Sequence, residues 1–151
     1  MTMPLRGSLH HGVPSWVKPD AIFHIRIRCL PETPKPLTDE QLALPLLESV
    51  RHYVTIRNWY CHLFLLMPDH LHALIFFPRD KRMSRVVGDW KKYHYRVHGV
   101  LWQDNYFDHR IRNEAELRKT EEYIRRNPVA KGLCNKSEDW PWVTDAHSVQ
   151  R

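Results

Sequence analysis

Two short stretches of the chain hold residue types suited to metal binding and nucleophilic attack. In Met67-Pro68-Asp69-His70-Leu71-His72-Ala73-Leu74-Ile75 two histidines flank one apolar residue. On a strand this alternation sends His70 and His72 to one face and Leu71 to the other. Neutral imidazole is a common ligand for divalent metals, and two such nitrogens on alternate strand positions can serve one ion without bending the backbone. Taken alone, the pair more often hydrogen-bonds at a sheet surface, and a third ligand has to come from elsewhere. In Glu122-Tyr123-Ile124-Arg125-Arg126-Asn127-Pro128 a tyrosine stands one helical turn before an asparagine, so Tyr123 and Asn127 share a helix edge. A hydroxyl there can reach a cleft; a ring packed at the core edge with its hydroxyl in water suits the spacing better. Asn127 precedes a proline, so it also reads as a helix-terminating residue whose amide satisfies a loose carbonyl.

These residues need elements to hold them. From Ala21 to Leu30, alternation places Ile22, His24, Arg26 and Arg28 on one side of a predicted strand, which gives it a basic face. Pro31, Pro34 and Pro36 break the chain, and Thr38 with Gln41 three residues later has the form of a capping box opening a helix to about Tyr53, interrupted by Pro45. Trp59 to Met67 and His70 to Phe77 read as adjacent strands of an antiparallel hairpin turning at Pro68-Asp69. A helix from Met83 to His98, stopped by Gly99, places Val86, Trp90, Tyr93 and Val97 on one face; Lys81, Arg85, Lys92 and Arg96 recur on another. A short strand over Tyr106 to Ile111 precedes a helix capped by Asn113 with Glu116 and running to Pro128, on which Leu117 and Ile124 mark the apolar stripe. Residues 1–20 carry Pro4, Gly7, Gly12, Pro14 and Pro19 with little periodicity and read as an N-terminal arm, 21–145 as a single domain and 146–151 as a tail.

The bulk composition sets the remaining bounds. A chain of 151 residues suits one hydrophobic core, and 42% hydrophobic with 26% charged residues is globular composition, outside the disordered range. The net charge of +6 favours a phosphate-bearing partner, nucleic acid first. Three dispersed cysteines, Cys29, Cys61 and Cys134, suggest neither a disulfide framework nor a zinc site, which fits a reducing cytoplasm. No apolar run approaches a membrane span and the N-terminus has no apolar signal region, so a cytoplasmic chain with no membrane partner is expected.

Three segments, His70-Leu71-His72, Trp102 to Arg112 and Tyr123 to Leu133, followed by Glu138-Asp139-Trp140-Pro141-Trp142, closely resemble the REP-associated tyrosine transposases. These relate to the single-tyrosine transposases of bacterial insertion sequences, and the likeness runs from about Trp16 to Trp142. The resemblance implies an α+β fold, a ferredoxin-like antiparallel sheet backed by helices as in HUH endonucleases, with the histidine pair on a central strand and the tyrosine on a following helix. It implies His70, His72 and Asn127 as ligands of magnesium or manganese, and Tyr123 as the nucleophile, with His70 and His72 completing the catalytic set. Two departures stand out. Asp69 occupies a position where relatives commonly carry asparagine, and the N-terminal arm lacks the glycine-serine-tyrosine signature of members tied to repetitive palindromic DNA.

The activity so implied is metal-dependent nicking and strand transfer on single-stranded or hairpin DNA through a covalent 5′-phosphotyrosine. Lys81, Arg85, Lys92, Arg96, Arg26 and Arg28 would track the DNA backbone. A non-catalytic DNA- or RNA-binding regulator derived from a transposase is the alternative, and a replication or conjugation nickase shares the same chemistry. Chain length favours the transposase. Insertion-sequence relatives work as dimers and REP-associated members look monomeric, so monomer and homodimer both stay open.

Overall fold

The structure, a computed structural model, describes residues 13–147. The expected arm as far as residue 12, and the tail from 148, lie outside the described residues. Among the described residues five strands and three α-helices follow one another as β1 (Val17–Arg28), α1 (Glu40–Thr55), β2 (Tyr60–Leu66), β3 (His70–Pro78), α2 (Met83–His98), β4 (Phe107–Arg110), α3 (Glu114–Ala130) and β5 (Val143–Asp145). The sheet order is β4-β1-β3-β2-β5 and every pairing is antiparallel. The β1-α1-β2-β3-α2-β4 part is the split βαβ arrangement of ferredoxin-like folds, so the expected α+β class holds.

The hairpin forms where expected. Met67 N–H closes it on the His70 carbonyl at 2.8 Å, with Pro68 and Asp69 making the turn. Opposed residues of antiparallel strands share a face, so the register of Arg28 with His70, Arg26 with His72 and His24 with Leu74 puts all six on one side of the sheet. The other side carries the larger core, in which Ile25, Ile27, Leu71, Ala73 and Phe64 meet Leu42, Leu46 and Val50 of α1 and Val86, Val87 and Trp90 of α2. On the histidine side a smaller core joins Ile22, Leu63, Leu65, Leu74 and Phe76 to Leu117 and Ile124 of α3. Because both faces are covered, β2 and β3 are almost wholly buried, which is why their sequences read as continuous apolar runs.

Several local expectations are corrected. β1 starts at Val17 rather than Ala21: Val17 pairs with Pro78, and a register irregularity before Ile22 accommodates Pro19, which has no N–H to give a regular ladder. The cap of α1 is Asp39, whose carboxylate accepts from Gln41 N–H at 3.0 Å, rather than Thr38; the Gln41 side chain takes Lys35 Nζ instead. Pro45 and Pro128 both lie inside helices, because the neighbouring turns bury Leu42, Ala43 and Leu46 in α1 and Ile124 and Asn127 in α3. On α2 Tyr93 and Val97 are exposed, and His94 fills the buried position with Val86, Val87 and Trp90. β5, three residues long, carries no periodicity that would announce it.

Candidate active site

α3 lies across the histidine face and is tied down along both sides. His109 Nε2 of β4 meets Glu116 at 2.9 Å, His62 Nε2 of β2 meets Glu121 at 2.8 Å, and Arg125 reaches Asp145 of β5 at 3.2 Å. A register irregularity between Cys61 and Leu63 turns His62 toward α3, the kind of re-aiming a bulge performs. With Leu117 and Ile124 anchored in the core, the next turn lowers Asn127 onto the sheet, where its amide donates to His72 Nε2 at 2.9 Å. Asn127 is thus buried on a side-chain partner and does not end the helix, which runs on to Ala130.

Tyr123, one turn earlier, is 58% exposed, and its ring stands edge-on to His72 with centroids 5.8 Å apart. His70 and His72 have ring centroids 5.0 Å apart, so the strand does deliver both imidazoles to one place. Arg26, Arg28, His70, His72, Tyr123 and Asn127 line one open groove of about 390 Å³, with Lys131 and Leu133 at its rim. β1, the β2–β3 turn with Pro68 and Asp69, β3, α3 and the segment after it therefore all contribute.

His24, read in the sequence only as part of the basic face, meets the groove through His72. Its Nε2 lies 3.0 Å from His72 Nδ1, and the two rings are stacked. With Asn127 donating to Nε2, the proton of neutral His72 sits on Nδ1 and is donated to His24, an arrangement that fixes the His72 tautomer. Burial, then the neighbouring His70, His24 and arginines, push the His72 pKa down to about 3. Burial, then Arg26 and His109, push His24 to about 4. His70 is also lowered by burial, opposed by Asp69, whose carboxylate accepts from His70 Nδ1 at 2.7 Å and is itself held low by that bond. All three imidazoles are neutral at physiological pH, the form that can offer a lone pair to a cation.

The residues fit a divalent ion. Among the described residues no group of three or more His, Cys, Asp and Glu side chains is placed to hold a metal ion together. Asn127 is a candidate of another kind: its amide nitrogen lies 2.9 Å from His72 Nε2, and the same amide carries an oxygen that would face a cation if the group were turned over. Asp69 sits behind His70 as the acceptor that orients its ring.

Of the cationic residues singled out in sequence, Arg26 and Arg28 line the groove. Lys81, Arg85, Lys92 and Arg96 are exposed on or beside α2, which covers the opposite face of the sheet. Lys81 and Arg85 border a separate groove with Asn58 and Asp89.

A ferredoxin-like antiparallel sheet with a histidine pair on its central strand, overlaid by a helix bearing tyrosine and asparagine, is the class of the single-tyrosine transposases. The profile of the IS200-like transposases matches residues 22–127, and the chain belongs to that family. It is 30% identical over 118 residues to the REP-associated tyrosine transposase of Escherichia coli (strain K12), covering 74% of this chain and 72% of that one. A putative REP-associated tyrosine transposase of Haemophilus influenzae is 26% identical over 103 residues, 56% of this chain and 58% of that one. The fold matches a solved REP-associated tyrosine transposase bound to a REP hairpin with a TM-score of 0.73 at 24% identity, over 87% of this chain and 80% of that chain. Among the described residues no helix is long and apolar enough to cross a membrane.

Proposed function

We propose that this transposase nicks and rejoins single-stranded or hairpin DNA through a covalent 5′-phosphotyrosine on Tyr123. The observation that carries this reading is the placement of Tyr123 edge-on to His72, in one groove with His70, Asn127, Arg26 and Arg28. That the solved relative is bound to a REP hairpin supports a structured single strand as the substrate class.

In the reaction, the Tyr123 oxygen attacks a backbone phosphorus as its phenolic proton passes to solvent, and the bond to the 3′ oxygen breaks, that oxygen taking up a proton from solvent. The products are a 5′-phosphotyrosine and a free 3′-hydroxyl, so the phosphodiester energy is kept and a second 3′-hydroxyl can reverse the step. Arg26 and Arg28, on the strand beside the histidines, offer guanidinium groups to the phosphates on either side of the cut. Magnesium or manganese held by His70, His72 and Asn127 would supply Lewis-acid stabilisation of the phosphoryl oxygens. The exposure of Tyr123 leaves it open to a bulky strand, while buried Asn127 and His72 give the site a fixed floor.

The test is incubation of the purified protein with labelled single-stranded DNA from its own gene's flanks plus manganese, read on a denaturing gel. A manganese-dependent covalent adduct is expected from the natural protein, and none from Tyr123→Phe, His70→Ala or His72→Ala. Tight binding of those strands without any adduct, or an adduct that survives in Tyr123→Phe, overturns the mechanism.

A further inference from the structure

β4 forms one edge of the sheet, and its Asp108 and Arg110 are the charged residues usual at such an edge. Phe107 breaks that pattern. The residue is 43% exposed and belongs to neither core. Register places it opposite Arg26, which in turn lies opposite His72, so Phe107, Arg26 and His72 form one row across the site face. Two strand spacings separate Phe107 from His72, about 10 Å. The Arg26 guanidinium carbon lies 5.1 Å from the Phe107 ring centroid, and His24 meets that ring edge-on at 5.5 Å. An aromatic surface next to a cation that also lines the catalytic groove is the pairing by which proteins hold single strands, with base on ring and phosphate on guanidinium.

We infer that Phe107 is a nucleobase-stacking subsite, taking the base of a nucleotide next to the scissile phosphate while Arg26 takes that nucleotide's phosphate. The inference rests on the single-strand reading above and adds to it a base contact that needs no particular base, since every base presents a π face. It also assigns Arg26 a double duty: its guanidinium backs the ring and faces the groove.

The test compares two labelled probes by fluorescence anisotropy: oligothymidylate of about 12 nucleotides, within the span single-stranded sites occupy, and an all-abasic oligomer of the same length and charge. Phe107→Leu should weaken oligothymidylate binding roughly tenfold and leave the abasic oligomer unchanged, because stacking is lost and the phosphate contacts remain. Phe107→Tyr and Phe107→Trp should restore the natural affinity. Equal losses on both probes would mean that the ring only props Arg26, and no loss on either would mean that it only closes the sheet edge; each overturns the inference. If the natural protein binds neither probe, the single-strand reading itself fails, and the inference with it. Binding by the natural protein that Phe107→Leu leaves intact sinks the base subsite alone.

Discussion

Replacing His24 with alanine removes the acceptor that holds His72 in the tautomer able to ligate. His72 is 1% exposed and donates Nδ1–H to His24 at 3.0 Å. Without that partner two outcomes compete. Either the buried donor stays unsatisfied, at about 1–3 kcal/mol, or the proton moves to Nε2 and the Asn127 amide turns over to accept it. The second state has no lone pair on Nε2 and cannot bind a cation. A bias of about 1–3 kcal/mol corresponds to roughly 5- to 150-fold in the ratio of the two tautomers. Loss of an outer hydrogen-bond partner of a metal-bound histidine typically weakens binding by about 10- to 100-fold. Manganese affinity, measured from the spin-resonance signal of the free ion without DNA, should therefore fall by at least roughly tenfold in His24→Ala. The imidazole nitrogen shifts of His72 in metal-free protein should move from the Nδ1–H pattern toward Nε2–H. His24→Gln, which restores an acceptor, should recover part of both effects. If His72→Ala abolishes manganese binding while His24→Ala changes neither affinity nor nitrogen shifts, His24 merely packs and the reasoning is refuted.

Three further outcomes follow from the same geometry. Tyr123→Phe should leave thermal stability within about 0.5 kcal/mol while eliminating the covalent adduct, since the ring is 58% exposed; a large drop in melting temperature would make the residue structural. Arg28→Gln should weaken single-strand binding, lower the salt slope by about 0.7 for one lost phosphate contact, and slow adduct formation even at saturating DNA. Arg96→Gln, on the far face of the sheet, should change binding only, and equal kinetic effects of the two would break the assignment of the groove. His94 donates Nε2–H to Ser49 Oγ at 2.9 Å, and its Nδ1 has no partner among the described residues. Burial first, then His98, push its pKa down to about 3. The unfolded chain takes up a proton near pH 6.5 that the folded chain refuses, so stability is untouched above that pH and falls below it by up to about 1.4 kcal/mol per unit. Urea unfolding at pH 7 and pH 5 should show His94→Gln losing about 2 kcal/mol less than the natural protein over that interval, and equal losses would mean that His94 is protonated in the fold.

What the sequence reveals and what it hides divide along a physical line. Period-two alternation places His24, Arg26 and Arg28 on one face of a strand and His70 with His72 on one face of another, and the fold keeps both faces. Alternation carries no information about which residue of one strand opposes which residue of the next. That register belongs to the pairing of β1 with β3: it sets Arg26 opposite His72 and leaves His24 two residues along the same face, where its Nε2 meets His72 Nδ1. On α2 a hydrophobic count favours burying Tyr93 and Val97, yet His94 is inside. Ser49 gives its proton to the Leu46 carbonyl at 2.6 Å and accepts from Trp90 and His94 at 2.9 Å each, so a shared hydroxyl draws the His94 imidazole inside in place of the apolar side chains. Asn127 is the same lesson at the active site. Local rules make it a helix end before proline; the lone pair of buried His72 Nε2 makes it a partner, and the helix continues because that contact and Ile124 hold it down. The consequence for function is directional. Since Asn127 and Tyr123 ride on one helix strapped to β4, β2 and β5, anything that loosens those straps should shift the Tyr123 ring and the asparagine contact together, and no single strand of the sheet can move one without the other.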